Sequence, residues 1–97
     1  MYFGGRGEWM ISSKVKVVNS AGLQMHPAGT LCKEAMKFKA LITFRSGESI
    51  ANAKSVLSVL GACVKCGDEI ELSCEGEDEK EALDHLVKVI SEGLGEE

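Results

Sequence analysis

The 97 residues are enough for one small domain with a single modest core in two packed layers, and too few for a second. A formal net charge of −4, from 11 basic and 15 acidic side chains, argues against a nucleic-acid binder, which would carry a basic face, and no apolar run approaches the ~20 residues of a membrane span. Four cysteines (Cys32, Cys63, Cys66 and Cys74) in a chain without a visible secretory signal point to reduced thiols in a cytoplasm rather than to a disulfide framework.

Residues 1–9 have no periodicity and are expected to lie outside the fold, as an extension that is disordered or was added for expression. Lys14-Val15-Lys16-Val17-Val18 alternates apolar and basic side chains, the period of a half-buried strand with Val15 and Val17 inward. At Gly22-Leu23-Gln24-Met25-His26-Pro27-Ala28 the period changes. The chain's single proline sits there, as suits the first turn of a helix. Ala28, Leu31, Cys32, Ala35 and Met36 then form one apolar stripe, and the helix is expected to end near Phe38 or Lys39. Leu41-Ile42-Thr43-Phe44-Arg45 reads as a strand, turned by Ser46-Gly47 into a short returning arm at Ser49-Ile50-Ala51.

Asn52 is the expected cap of a short helix over residues 55–60, whose apolar side is Val56, Leu57 and Leu60. Gly67-Asp68 marks a turn, and residues 69–74 alternate cleanly with Ile70, Leu72 and Cys74 inward. Asp78 followed by Glu81 fits a capping box for a last helix, with Ala82, Leu83, Leu86, Val87 and Ile90 on its buried stripe and Gly93 at its end. The order β-α-β-β-α-β-α places helices on one face of a mostly antiparallel sheet, a two-layer α+β sandwich.

The helix start after Gly22 offers outward-facing N–H groups and the positive end of a helix dipole, a generic anion site. Gln24 is placed to hydrogen-bond that open helix end. His26 brings an imidazole to the same turn, the side-chain type most used as an acceptor near neutral pH. Cys63-Val64-Lys65-Cys66 follows a short helix, whereas a redox pair opens a helix after a strand. As zinc ligands the two would need two more, so small buried thiols are the expected reading. His85, beside Asp84 and Lys88, is expected on the solvated side of the last helix, and the acidic run from Glu75 to Glu81 as a solvated loop and helix start.

The segment Gly22-Leu23-Gln24-Met25-His26-Pro27-Ala28 resembles the Gly-Leu-His-Ala-Arg-Pro-Ala signature of HPr, the histidine phosphocarrier of the bacterial sugar phosphotransferase system. The similarity continues without an evident gap through Asn52-Ala53-Lys54-Ser55-Val56-Leu57 and Gly76-Glu77-Asp78-Glu79-Lys80-Glu81-Ala82-Leu83, and covers about residues 10–90. Met10 lies about where chains of this family start. Gln24 stands where the family keeps its phosphorylated histidine and His26 where it keeps an arginine. A glutamine at that place also characterises the Crh subgroup of regulatory HPr-like proteins.

This resemblance implies an open-faced α+β sandwich over residues 10–97, with a four-stranded antiparallel sheet in the order 1-4-2-3 covered by three helices. It implies a protein of sugar transport or carbon catabolite regulation, not an enzyme, with no catalytic residue, cofactor or metal. A carboxamide cannot accept phosphate, because its nitrogen lone pair is delocalised into the carbonyl. Regulation would instead run through Ser55, since Lys54-Ser55-Val56-Leu57 looks like the segment phosphorylated by HPr kinase. The expected partner surface combines Gln24 and His26 with Lys54, Val56, Leu57 and Leu60, rimmed also by Lys33. The partners implied are HPr kinase/phosphorylase, a LacI-type catabolite control protein and other phosphotransferase system proteins. Ser58 departs from a residue usually glycine in the family. Two alternatives stand beside this reading: a phosphocarrier using His26, and a thiol or metal protein using Cys63 and Cys66.

Overall fold

A computed structural model describes residues 10–95; the N-terminal extension expected over residues 1–9 lies outside the described residues. Seven elements follow one another: β1 (Met10–Lys16), α1 (Met25–Ala35), β2 (Leu41–Ser46), β3 (Ser49–Asn52), α2 (Val56–Gly61), β4 (Glu69–Glu75) and α3 (Glu79–Ser91). The strands form one antiparallel sheet in the order β1-β4-β2-β3. Only β2 and β3 are joined by a hairpin, so β4 reaches the centre of the sheet by non-local pairing with β1 and β2. The same pairing extends β1 back to Met10, opposite Glu75, through a stretch with no alternation of its own.

One face of the sheet is dry. Val15, Ile42, Phe44, Ile70, Leu72 and Cys74 are buried beneath Ala28, Leu31 and Ala35 of α1, Val59 of α2, and Ala82, Leu83, Leu86 and Ile90 of α3. Val17, just past β1, joins them. The other face carries opposite charges in register, with Glu71 between Lys14 and Arg45 and with Glu69 opposite Lys16, as suits a face left to water.

Four local expectations are corrected. Helix α1 stops at Ala35, where the amides of Lys37 and Phe38 bond back only three residues. This tightened turn rotates Met36, expected on the buried stripe, out to 63% exposure and brings Phe38 in against the core. Asn52 ends β3 and accepts the Lys54 amide, leaving the cap of α2 to Ser55, whose Oγ accepts the Ser58 N–H at 3.3 Å. Asp78 does not cap its own helix. Its carboxylate accepts the amides of Lys39 and Ala40, both at 2.8 Å, and the Gly76 amide goes to Glu79, so no capping box forms with Glu81.

His85 is not a free surface residue. Its Nε2 lies 2.6 Å from Glu34 Oε1 and its ring packs 5.5 Å from that of Phe38, tying α3 to α1. Glu34 also pairs with Lys37 at 2.9 Å, and these two partners, His85 foremost, hold its carboxyl below the usual carboxylate range. The close of α3 is as expected, with Gly93 at φ +93° after the cap residue Glu92 and the Leu94 amide returning to the Val89 carbonyl.

Candidate functional site at the start of the first long helix

Two loops at one end of the sheet are stitched together by their backbones. The Val17 amide donates to the Asp68 carbonyl at 2.9 Å, the Gly67 amide to the Val17 carbonyl at 2.8 Å, and the Leu23 amide to the Val64 carbonyl at 3.0 Å. Asn19 Nδ2 closes the first loop on the Gly22 carbonyl at 2.7 Å. Gly22 has φ +68°, and a Cβ there would sit 2.5 Å from the Val64 carbonyl oxygen and 2.8 Å from Lys65 Cα. Only glycine permits that approach.

The seam delivers the chain to α1 with Gln24 as the residue preceding the helix, in extended conformation. Its side chain makes no capping hydrogen bond, contrary to expectation: the carboxamide is exposed and leaves the helix end open. No acidic side chain occupies the first turn, so nothing there offsets the dipole. Met25 and His26 are exposed on that turn, and Pro27 is buried beneath it.

A groove of about 360 Å³ runs between the helix start and the second loop, with Leu23, Gln24 and Met25 on one wall and Leu60, Cys63, Val64 and Lys65 on the other. Beside it, Leu57 is 81% exposed while Val56 and Leu60 are half-buried against the core. Ser55 is half-buried, and Ser58 Oγ accepts the Asn52 amide at 2.9 Å, which gives the hydroxyl at this position a structural use. Lys33 is exposed on α1. Lys54 is more committed than a rim residue, since its Nζ donates to the Phe38 carbonyl at 2.6 Å and its own carbonyl accepts from Cys32 Sγ at 3.0 Å.

The cysteines separate by environment. Cys63 and Cys66, expected as small buried thiols, are both exposed, because the loop turns inward at Val64 instead. They face different neighbours: Cys63 lines the groove, with φ +55°, and Cys66 Sγ lies 3.7 Å from the Val18 carbonyl. Cys74 is buried, and desolvation pushes its thiol up to about 12. Among the described residues, no group of three or more histidine, cysteine or acidic side chains is placed to hold a metal ion. The wall made by Cys63, Val64 and Lys65 was not legible as part of a site, since only folding brings it against Gly22 and Gln24.

An open-faced sandwich of this topology, with an exposed helix start over a shallow groove and apolar side chains beside it, defines the class as a small single-domain α+β protein. Residues 11–92 match the family described as the PTS HPr component phosphorylation site. The chain belongs to the HPr family, which includes phosphocarrier proteins that pass phosphate between enzymes. It is 38% identical over 81 residues to the phosphocarrier protein HPr of Haemophilus influenzae, covering 84% of this chain and 95% of that protein. It is 35% identical over 83 residues to the HPr-like protein Crh of Bacillus subtilis, covering 86% and 98%. Among solved structures, the crystal structure of HPr-C-His from Thermoanaerobacter tengcongensis superposes with a TM-score of 0.86 at 33% identity, covering 90% of this chain and 98% of that one.

Proposed function

We propose that the chain is a cytoplasmic regulatory member of the HPr family, which works by docking to partner proteins and by phosphorylation of Ser55 and does not carry phosphate on a histidine. Residues 10–97 are its one domain and residues 1–9 an extension. The observation that carries this reading is Gln24, which occupies the start of α1 where a carrier would need its nucleophilic imidazole. The likeness to Bacillus subtilis Crh supports it. Ser55 at the start of α2 supports the regulatory half. No acidic side chain lies in the first turn of α2, so a phosphoryl group of about −1.5 to −2 charge meets backbone N–H donors rather than repulsion.

By the same resemblance the partners are HPr kinase/phosphorylase, a LacI-type catabolite control protein and other proteins of the phosphotransferase system. They would meet Gln24, His26, Lys54, Val56, Leu57 and Leu60. A second reading, a carrier using His26, rests on an imidazole exposed at the same helix end. It is disfavoured because the imidazole is displaced by two residues into the helix, and geometry precedes pKa in choosing an acceptor. The deciding experiment pairs two reactions on the purified protein. HPr kinase with ATP is expected to add one phosphate, mapped to Ser55 by peptide mass. Enzyme I with phosphoenolpyruvate is expected to add no acid-labile phosphate. Acid-labile label that His26→Ala abolishes would replace this reading with the carrier one.

A further inference from the structure

We infer that Lys54 and Cys32 are positioning residues for the phosphorylation of Ser55, and that Lys54 acts by anchoring the backbone beside Ser55, not by offering its charge to the kinase. The inference rests on the reading of Ser55 as the regulatory site and names what presents that site. The peptide unit joining Lys54 to Ser55 is held at both ends. Its carbonyl accepts the Cys32 thiol of α1 at 3.0 Å, and its N–H donates to the Asn52 carbonyl at 3.0 Å. The Lys54 amide donates to Asn52 Oδ1 at 2.9 Å, and the Lys54 ammonium to the Phe38 carbonyl at 2.6 Å. The amide, carbonyl and ammonium of Lys54 are therefore all engaged within the chain.

The anchor points are themselves fixed. Cys32 is half-buried on α1, and Phe38 packs against the core with its ring 5.5 Å from that of His85. The Lys54 charge is felt at the start of α3: the Asp78 carboxyl, held below the usual carboxylate range first by the Lys39 amide, is lowered further by it. Ser55 Oγ accepts only the Ser58 amide among the described residues, at 3.3 Å. In the transfer this oxygen attacks the γ-phosphorus of ATP, the bond from that phosphorus to the β–γ bridging oxygen breaks, and ADP leaves. The hydroxyl proton passes to a base of the kinase. Such a step depends on how the attacking oxygen is aligned, and a displacement of about 1 Å can cost on the order of a hundredfold in rate. Two contacts, spanning 22 and 16 residues of sequence, hold the backbone that carries it.

The test measures Ser55 phosphorylation by HPr kinase and ATP at several ionic strengths, together with amide hydrogen exchange. It uses the full chain and the variants Lys54→Met, Cys32→Ala, Cys32→Ser, and Lys54→Met with Cys32→Ala. Lys54→Met keeps the aliphatic stem, and thermal unfolding of each variant sets a temperature at which all are folded. Lys54→Met and Cys32→Ala are each expected to speed exchange of the Ser55 amide roughly three- to tenfold and to lower kcat by a similar factor, with KM within about twofold. The double variant is expected to lose less than the product of the two, because both substitutions act on one peptide unit. Cys32→Ser, which keeps a donor, is expected to retain most of the rate. A charge offered to the kinase would behave otherwise: Lys54→Met alone would raise KM and flatten the salt dependence, and Cys32→Ala would change nothing. That pattern, or Ser55 exchange and kcat indifferent to both substitutions, overturns the inference alone. Wild type that takes no phosphate on Ser55 sinks the regulatory reading itself, and the inference with it.

Discussion

Replacing Gly22 by alanine tests the seam that builds the site. The left-handed φ of +68° costs a non-glycine residue about 1–2 kcal/mol. The new methyl would lie 2.5 Å from the Val64 carbonyl oxygen and 2.8 Å from Lys65 Cα, both backbone atoms that no rotamer change can clear. The loops must therefore part, and the 3.0 Å hydrogen bond from Leu23 to Val64 is lost or stretched, at about 0.5–1.5 kcal/mol. Together the loss is about 1.5–3.5 kcal/mol, a large share of the roughly 5–15 kcal/mol that holds a small domain folded. Gly47→Ala is the control: its φ is +62°, and a Cβ there meets nothing within 4 Å. Both variants gain the same unfolded-state rigidity, so that effect cancels between them. In urea denaturation followed by far-UV circular dichroism, Gly22→Ala is expected to unfold at a midpoint roughly 1 M below Gly47→Ala, with similar slopes. Equal midpoints would refute the argument that close approach of the two loops, rather than φ alone, requires glycine at position 22.

Three further outcomes are expected. Glu34, held below its ordinary pKa of 4.5 by His85 and Lys37, contributes stability that is present above that value and lost as pH falls through its folded pKa. Tm against pH for wild type and Glu34→Gln should therefore differ near neutrality and converge in acid, and a constant gap would contradict the ion pair. Titration of the native protein with a thiol reagent should give two fast groups, Cys63 and Cys66, a slower Cys32, and Cys74 only after unfolding, with reaction of Cys74 in the native state counting against its burial. Gln24→His together with His26→Arg should accept acid-labile phosphate from Enzyme I, and Gln24→His alone less well, because an arginine fork holds phosphoryl oxygens in two parallel hydrogen bonds that an imidazole cannot make. No label on the double variant would show that the loop has lost more than its nucleophile and cation.

The local alternation of Lys14 to Val18 and of Glu69 to Cys74, the stripe from Ala82 to Ile90 and the turn glycines were enough to determine the elements, their order and the fold class. Periodicity is a property of neighbouring residues, and each of these segments buries one face whatever lies opposite. Gln24, His26 and Ser55 were legible too, because chain position alone puts them at helix starts.

What required the tertiary structure were the contacts between residues far apart in sequence. Asp78 looked like a cap for its own helix, yet two unsatisfied amides at Lys39 and Ala40 lie nearer to hand once β2 pairs with β4, and a carboxylate goes where donors are free. His85 looked solvated until α3 crossed α1 and brought Glu34 and Phe38 to it. Lys54 looked like a free rim charge until the turn after α1 presented the Phe38 carbonyl. Cys63 and Lys65 became the far wall of the groove only because the loop that bears them closes on Gly22, a contact set by backbone hydrogen bonds that leave no pattern in the side chains.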